Sequence, residues 1–164
     1  MGIDGWRLSF SEDDCTTASY IAPSAAPGPY GEPFSARSLT FAHVNGGSCS
    51  SRSHCGVGDN VLVAVADCLR RELRGHDGLG RYGGEEFVII LDRLDLGAAH
   101  QVADRLRAAV SALHVVDGLQ ITVSIGLAHH QSEHGPVDLN QLLTRADTAL
   151  YQAKSSGRDR VQTY

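Results

Sequence analysis

The stretch best equipped for chemistry is Arg81-Tyr82-Gly83-Gly84-Glu85-Glu86-Phe87. Two carboxylates follow two glycines and lead straight into an apolar run, Phe87-Val88-Ile89-Ile90-Leu91, that reads as a buried strand. Paired carboxylates at the mouth of such a strand suit a hard cation such as Mg²⁺, which takes oxygen ligands. Gly83 and Gly84 suit a tight hairpin, because both can adopt positive φ without a Cβ clash. Lacking side chains, they also let a flat or charged ligand come close to the backbone. A solvated turn ahead of a core strand would use the same residues, and spacing alone leaves the two readings even.

The elements that must position this stretch follow from periodicity. Asn60 to Arg74 predicts a helix, with Val61, Val65, Leu69 and Leu73 four apart and Asp59 in the N-cap position. Leu79 to Tyr82 and Glu86 to Asp92 form a hairpin about a Gly83-Gly84 turn. Gly97 to Leu113 predicts a second amphipathic helix. Gln120 to Leu127 alternates, with Ile121, Val123, Ile125 and Leu127 on one face and Thr122, Ser124 and Gly126 on the other, as in a half-buried strand. Asp138 to Ala153 predicts a third helix, stopped by Gly157, and Arg160 to Gln162 a short last strand. The expected class is α+β, a mainly antiparallel sheet with helices covering one face.

The first fifty-five residues are different in kind. Four of the 5 prolines fall between Pro23 and Pro33, and small polar residues dominate. One short strand is expected over Arg37 to Val44, and the rest as irregular, because so little apolar surface cannot offset the entropy of ordering. The expected division is therefore an irregular segment over 1–55 and a folded domain over 56–164. A length of 164 residues suits one domain. A net charge of −5 argues against a general nucleic-acid surface. No apolar run approaches a membrane helix, and the N-terminus lacks the pattern of a secretory signal. The 4 cysteines form no CxxC pair and read as reduced thiols of a cytoplasmic protein.

With these elements in place, the motifs resemble the GGDEF family, the diguanylate cyclases, in its GGEEF spelling. Gly58-Asp59 matches the family's GD, and Thr122-Val123-Ser124-Ile125-Gly126 its TVSIG strand. Ala146-Asp147-Thr148-Ala149-Leu150-Tyr151-Gln152-Ala153-Lys154 matches ADxALYxAK, and Gly157-Arg158 the GR that follows. All stand in the right order over about residues 56–161. The resemblance implies a nucleotidyl-cyclase fold, palm-like and ferredoxin-like. It also implies condensation of two GTP into cyclic di-GMP with release of two pyrophosphates, by a homodimer using Mg²⁺ or Mn²⁺.

Carried over residue by residue, the resemblance makes Glu85 the metal-binding and catalytic carboxylate and Glu86 its neighbour near the metals. Gly83 and Gly84 match the turn that admits the nucleotide, and Asp59 an acceptor for the guanine edge. Lys154, the only lysine among the 14 basic residues, and Arg158 match groups gripping the terminal phosphates. Arg74 and Asp77 match an inhibitory RxxD site for the product, where arginine suits bidentate contact with phosphate or guanine. Plainer roles exist for several of these: a helix N-cap for Asp59, and cations at a helix C-terminus for Lys154 and Arg158.

The departure from the family lies upstream. Counting back from Asp59, the family's first metal-binding Asp should stand at Ala42. Its phosphate-loop Phe and Lys should stand at Gly46 and Gly47, and its guanine-binding Asn at Ser50. No acidic residue occurs between Glu32 and Asp59, so the first strand is expected to be abnormal or missing. A shift of reading frame upstream of residue 56 would produce such a break, and an acidic DxDxF-like strand in another frame of the coding DNA is the test. The alternative to an active cyclase is an inactive domain that binds cyclic di-GMP or GTP, or docks to a full-length cyclase.

Overall fold

The structure, a computed structural model, describes residues 36–45, 55–115, 120–130 and 138–164. The elements run β1 (Ala36–Asn45), α1 (Cys55–Glu72), β2 (Gly78–Gly83), β3 (Glu86–Asp92), α2 (Leu96–Ser111), β4 (Thr122–His129), α3 (Leu139–Ser155) and β5 (Val161–Thr163). The five strands lie in the order β2-β3-β1-β4-β5. Every pairing is antiparallel except that of β4 with β5. The α+β expectation holds.

The upstream strand is present and central. β1 pairs with β3 along one edge and β4 along the other. The sheet therefore draws in residues ahead of the boundary expected at 56. Leu39, Phe41, Ala42 and Val44 are buried in it, which is why a segment with little apolar content elsewhere orders here. The strand is abnormal in sequence, as it carries no carboxylate, but it is not missing. Gly46, Gly47 and Ser50 lie outside the described residues.

Helices cover both faces of the sheet, not one. Ala42, Val44, Phe87, Ile89, Leu91, Val123, Ile125 and Leu127 pack with α1 and α2. Leu39, Phe41, Val88 and Ala128 pack with Leu142, Ala146 and Leu150 of α3. The face of β4 that reads as polar is thus buried too, with Ser124 and Ala128 fully inaccessible. Gly126 makes this packing feasible. A Cβ there would overlap the Ala146 carbonyl oxygen and the Leu150 amide nitrogen and lie 2.7 Å from Leu150 Cα. The α3 backbone rests directly on the sheet at that point.

Helix ends decide two further details. Asp95 and Asp138 are N-caps, accepting from Ala98 N–H and from Asn140 and Gln141 N–H. Asp59 is not one: α1 begins at Cys55, a turn earlier than its periodicity suggests, and Asp59 lies exposed within the helix. At the end of α3, the Arg158 amide reaches back to the Ala153 carbonyl at 3.0 Å, with Gly157 at φ +110°, a Schellman closure. Cys68 is free and buried in the core, and burial pushes its thiol pKa up, so it packs as a small apolar residue.

Candidate active site

The hairpin tip is built one residue later than expected. Gly83 still belongs to β2 and pairs with Glu86, so the two-residue turn is Gly84-Glu85. Gly84 has φ +48° and Glu85 is not among the positive-φ residues, the pattern of a turn with glycine first. Arg81 braces the tip, its Nε and Nη2 donating to the Gly84 carbonyl at 2.8 and 2.6 Å. The Val44 amide of β1 donates to the Glu85 carbonyl at 3.0 Å, tying the tip to the central strand. The consequence is a division of labour between the two acids. Glu85 projects from the turn with its side chain 58% exposed, whereas Glu86 lies in the strand, half-buried.

Against these carboxylates the fold sets His43. It pairs across the sheet with Glu86 on one side and Ser124 on the other, and its side chain is only 18% exposed. Nε2 lies 3.1 Å from Glu85 Oε1. Nδ1 lies 3.4 Å from Glu86 Oε1, too far for a good hydrogen bond, and is otherwise buried without a partner among the described residues. Burial, helped by the nearby Lys154 ammonium, lowers the His43 pKa and outweighs the two glutamates that raise it. The lowered pKa favours the uncharged ring, and Nε2 meets Glu85 Oε1 as a close polar contact rather than an aligned hydrogen bond. From α3 the Lys154 ammonium donates to Glu86 Oε1 at 3.0 Å. Beyond His43 on the same strand face, the Asn45 amide donates to Ser124 Oγ at 3.0 Å and Thr122 Oγ1 at 3.2 Å.

The cleft over this cluster holds about 600 Å³ and is lined by His43, Leu62, Arg81, Gly83, Gly84, Glu85 and Glu86. Asp59 stands one helical turn before Leu62, on the adjoining face of α1. The fold thus gathers Gly83, Gly84, Glu85, Glu86 and Lys154, while Asp59 is exposed on α1 and is not among the residues lining the cleft. Arg158 sits in the turn after α3, where among the described residues its hydrogen bonds are made by its backbone.

Arg74 and Asp77 form a separate feature at the far end of β2, roughly 20 Å from the tip by strand length. Asp77 accepts from the Arg74 amide at 2.9 Å and from the Asp92 amide at 3.4 Å, closing the turn from α1 into the hairpin. The Arg74 side chain is exposed.

His43 is the residue that sequence reasoning missed. Ala42, the position reached by counting back from Asp59, points into the opposite core and is fully buried. The residue facing the carboxylates stands one place later. The usable signal was the alternation of β1, in which His43 and Asn45 share a face with Leu39 and Phe41 while Ala42 shares one with Thr40 and Val44.

The donor set limits which metal arrangement fits. Among the described residues no three His, Cys, Asp or Glu converge on one ion position. Glu85 and His43 would offer two donors to one divalent cation, with the other positions left to phosphate oxygens and water, a usual arrangement for nucleotide-bound ions. Glu86 is neutralised by Lys154. Two cations side by side would need a second free carboxylate, which this cluster lacks.

A five-stranded sheet with helices on both faces, and a glycine-acid hairpin tip beside a lysine, defines a palm-like domain of the nucleotidyl-cyclase type. The family model described as "Diguanylate cyclase, GGDEF domain" matches residues 55–160, and the chain belongs to that family. It is 40% identical over 121 residues to diguanylate cyclase DgcM of Escherichia coli K12, a match covering 74% of this chain and 28% of the relative. Among solved structures, diguanylate cyclase SiaD of Pseudomonas aeruginosa, in complex with its activator SiaC, matches with a TM-score of 0.65 and 36% identity over 78% of this chain and 50% of that one. The coiled coil and GGDEF domain of DgcB from Caulobacter crescentus, in complex with c-di-GMP, matches with a TM-score of 0.64 and 26% identity over 78% and 70% of the respective chains. The chain spans less than a third of the length of the curated relatives it matches. Among the described residues no helix is long and apolar enough to cross a membrane.

Proposed function

We propose that this domain condenses two GTP molecules into cyclic di-GMP, releasing two pyrophosphates, with two domains meeting face to face. The observation that carries the reading is the cleft lined by the Gly83–Glu86 tip, whose Glu86 is bridged to the Lys154 ammonium, in a chain of this family. Gly83 and Gly84 present bare backbone, so the triphosphate can lie against the tip. Asp59, exposed beside the cleft, accepts hydrogen bonds from the guanine N1 and N2 edge. Lys154 is poised to exchange Glu86 for a terminal phosphate, assisted by Arg158 from the following turn. Such an exchange trades one anion for another and leaves the ammonium compensated. A divalent cation, Mg²⁺ or Mn²⁺, would supply acidification of the attacking 3′-hydroxyl and neutralisation of the triphosphate. Glu85 and His43 would hold it. Removing a carboxylate from the tip then weakens cation and nucleotide together.

Incubating the purified chain with GTP and either cation, and resolving the nucleotides by chromatography, tests the reading. Cyclic di-GMP is the expected product. GTP left intact with both cations, at protein concentrations high enough to pair domains, would overturn it in favour of a nucleotide-binding module.

Arg74 and Asp77 are proposed as the site of product restraint. Asp77 already serves the turn, so the variant that isolates binding is Arg74→Ala, which removes an exposed side chain. The expected outcome is an unchanged initial rate and a higher final yield of cyclic di-GMP. An unchanged progress curve would remove Arg74 from regulation.

A further inference from the structure

We infer that His43 is a metal ligand through Nε2, and that this site prefers a first-row transition ion over Mg²⁺. The inference rests on the cyclase reading of the cleft. Cis ligands on an octahedral ion with bonds of about 2.1 Å stand about 3.0 Å apart. His43 Nε2 and Glu85 Oε1 stand 3.1 Å apart and both border the cleft. They already have the separation of two donors to one ion.

The far side of the ring completes the arrangement. Nδ1 faces Glu86 Oε1 at 3.4 Å and has no hydrogen-bond partner among the described residues. With Nε2 given to a cation, the ring proton would stand on Nδ1, where a small turn of the ring would bring it within hydrogen-bond reach of the Glu86 carboxylate, 3.4 Å away. That is the carboxylate–histidine–metal relay by which proteins fix an imidazole ligand and raise its basicity. In the free domain Lys154 holds Glu86 beside the ring at 3.0 Å, and once a phosphate takes that ammonium Glu86 is left to His43. It acts as a positioning residue for His43.

Selectivity follows from the donor atoms. Mg²⁺ favours oxygen and sheds water reluctantly, so an imidazole in place of a carboxylate costs it both charge and a preferred donor. Mn²⁺ and the later first-row ions accept imidazole nitrogen readily. Substituting histidine where an acid would serve Mg²⁺ therefore moves the site toward the softer ions.

The test uses the full chain with Mn²⁺ and a GTP analogue bearing a methylene bridge between the α and β phosphorus atoms. Binding of the analogue is measured by equilibrium dialysis, and the ion's surroundings by pulsed electron paramagnetic resonance. The expected result is a nitrogen modulation that changes when the protein is labelled with ¹⁵N-histidine, which excludes the guanine nitrogens as its source. In His43→Asp the modulation is lost, and Mg²⁺ displaces Mn²⁺ at a concentration ~10-fold lower than in the parent. Bound Mn²⁺ and bound analogue with no histidine-dependent signal would overturn the inference and leave the cyclase reading standing. Failure to bind the analogue with either ion would overturn both. The isotope experiment needs no substitution and by itself shows whether a histidine ligates the ion, and His43→Gln, a second variant that also lacks the imidazole, assigns the signal to His43 should His43→Asp fold poorly.

Discussion

Under the proposed cyclase function, Glu85→Gln is expected to abolish cyclic di-GMP synthesis while leaving the fold intact. The expected loss of rate is on the order of 10²-fold or more, since even groups one shell removed from a metal are worth 10- to 100-fold. The structural argument is that Glu85 contributes almost nothing to stability. Its side chain protrudes from the hairpin turn and, among the described residues, its one ion-pair contact is with the His43 ring, while its backbone carbonyl, unchanged by the substitution, keeps the bond from Val44. Melting temperature and far-ultraviolet circular dichroism should match the parent. Glu86→Gln makes the informative comparison. It releases Lys154 and the far side of His43 at once, so it should lower apparent cation affinity and alter the KM for GTP, with some turnover remaining. Equal loss in the two variants would show that the acids act as a single unit, against the division of labour described above. Full activity in Glu85→Gln would remove the tip from the chemistry altogether.

Gly126→Ala is expected to be the most damaging single-methyl change in the domain. The added Cβ meets backbone atoms of α3 at Ala146 and Leu150, not the tip of a side chain that could rotate aside. Relief requires α3 to lift from the sheet, uncovering Leu39, Phe41, Val88 and Ala128. Overpacking of a close-packed interior costs roughly 1–3 kcal/mol where side chains can adjust. A clash with two backbone groups should reach or pass the top of that range. Urea unfolding measures it directly. A midpoint within experimental error of the parent would show that α3 and β4 are not locked together at this glycine. Because α3 also carries Lys154, a lifted helix should weaken GTP binding even in the fraction that stays folded.

Gly126 also shows where local pattern stops being informative. The alternation of β4 correctly separated Ile121, Val123, Ile125 and Leu127 from Thr122, Ser124 and Gly126. It could not say that the second set would be buried as well. Small and polar residues read as solvent-facing, yet here smallness is the requirement for a helix backbone to approach. The same limit explains Glu85 and Glu86. Their adjacency at the head of a strand was evident, but the turn centred on Gly84-Glu85 made one exposed and the other an interior partner of Lys154. That shift of one position depends on which residues of β2 and β3 pair.

The chain's own letters determined the order of the elements, the large apolar residues of the core from residue 56 onward, the presence of the hairpin and its acids, and the family. These rest on short-range physics: helical and strand periods, capping residues, glycine at turns and contiguous motifs. The tertiary structure alone decided the place of Ala36–Asn45 at the centre of the sheet and the presence of His43 over the carboxylates. Both depend on pairings between residues tens of positions apart, and a one-residue change of register exchanges the faces of a strand. Counting along the chain led to Ala42 in the core, whereas the cross-strand register put His43 in the cleft.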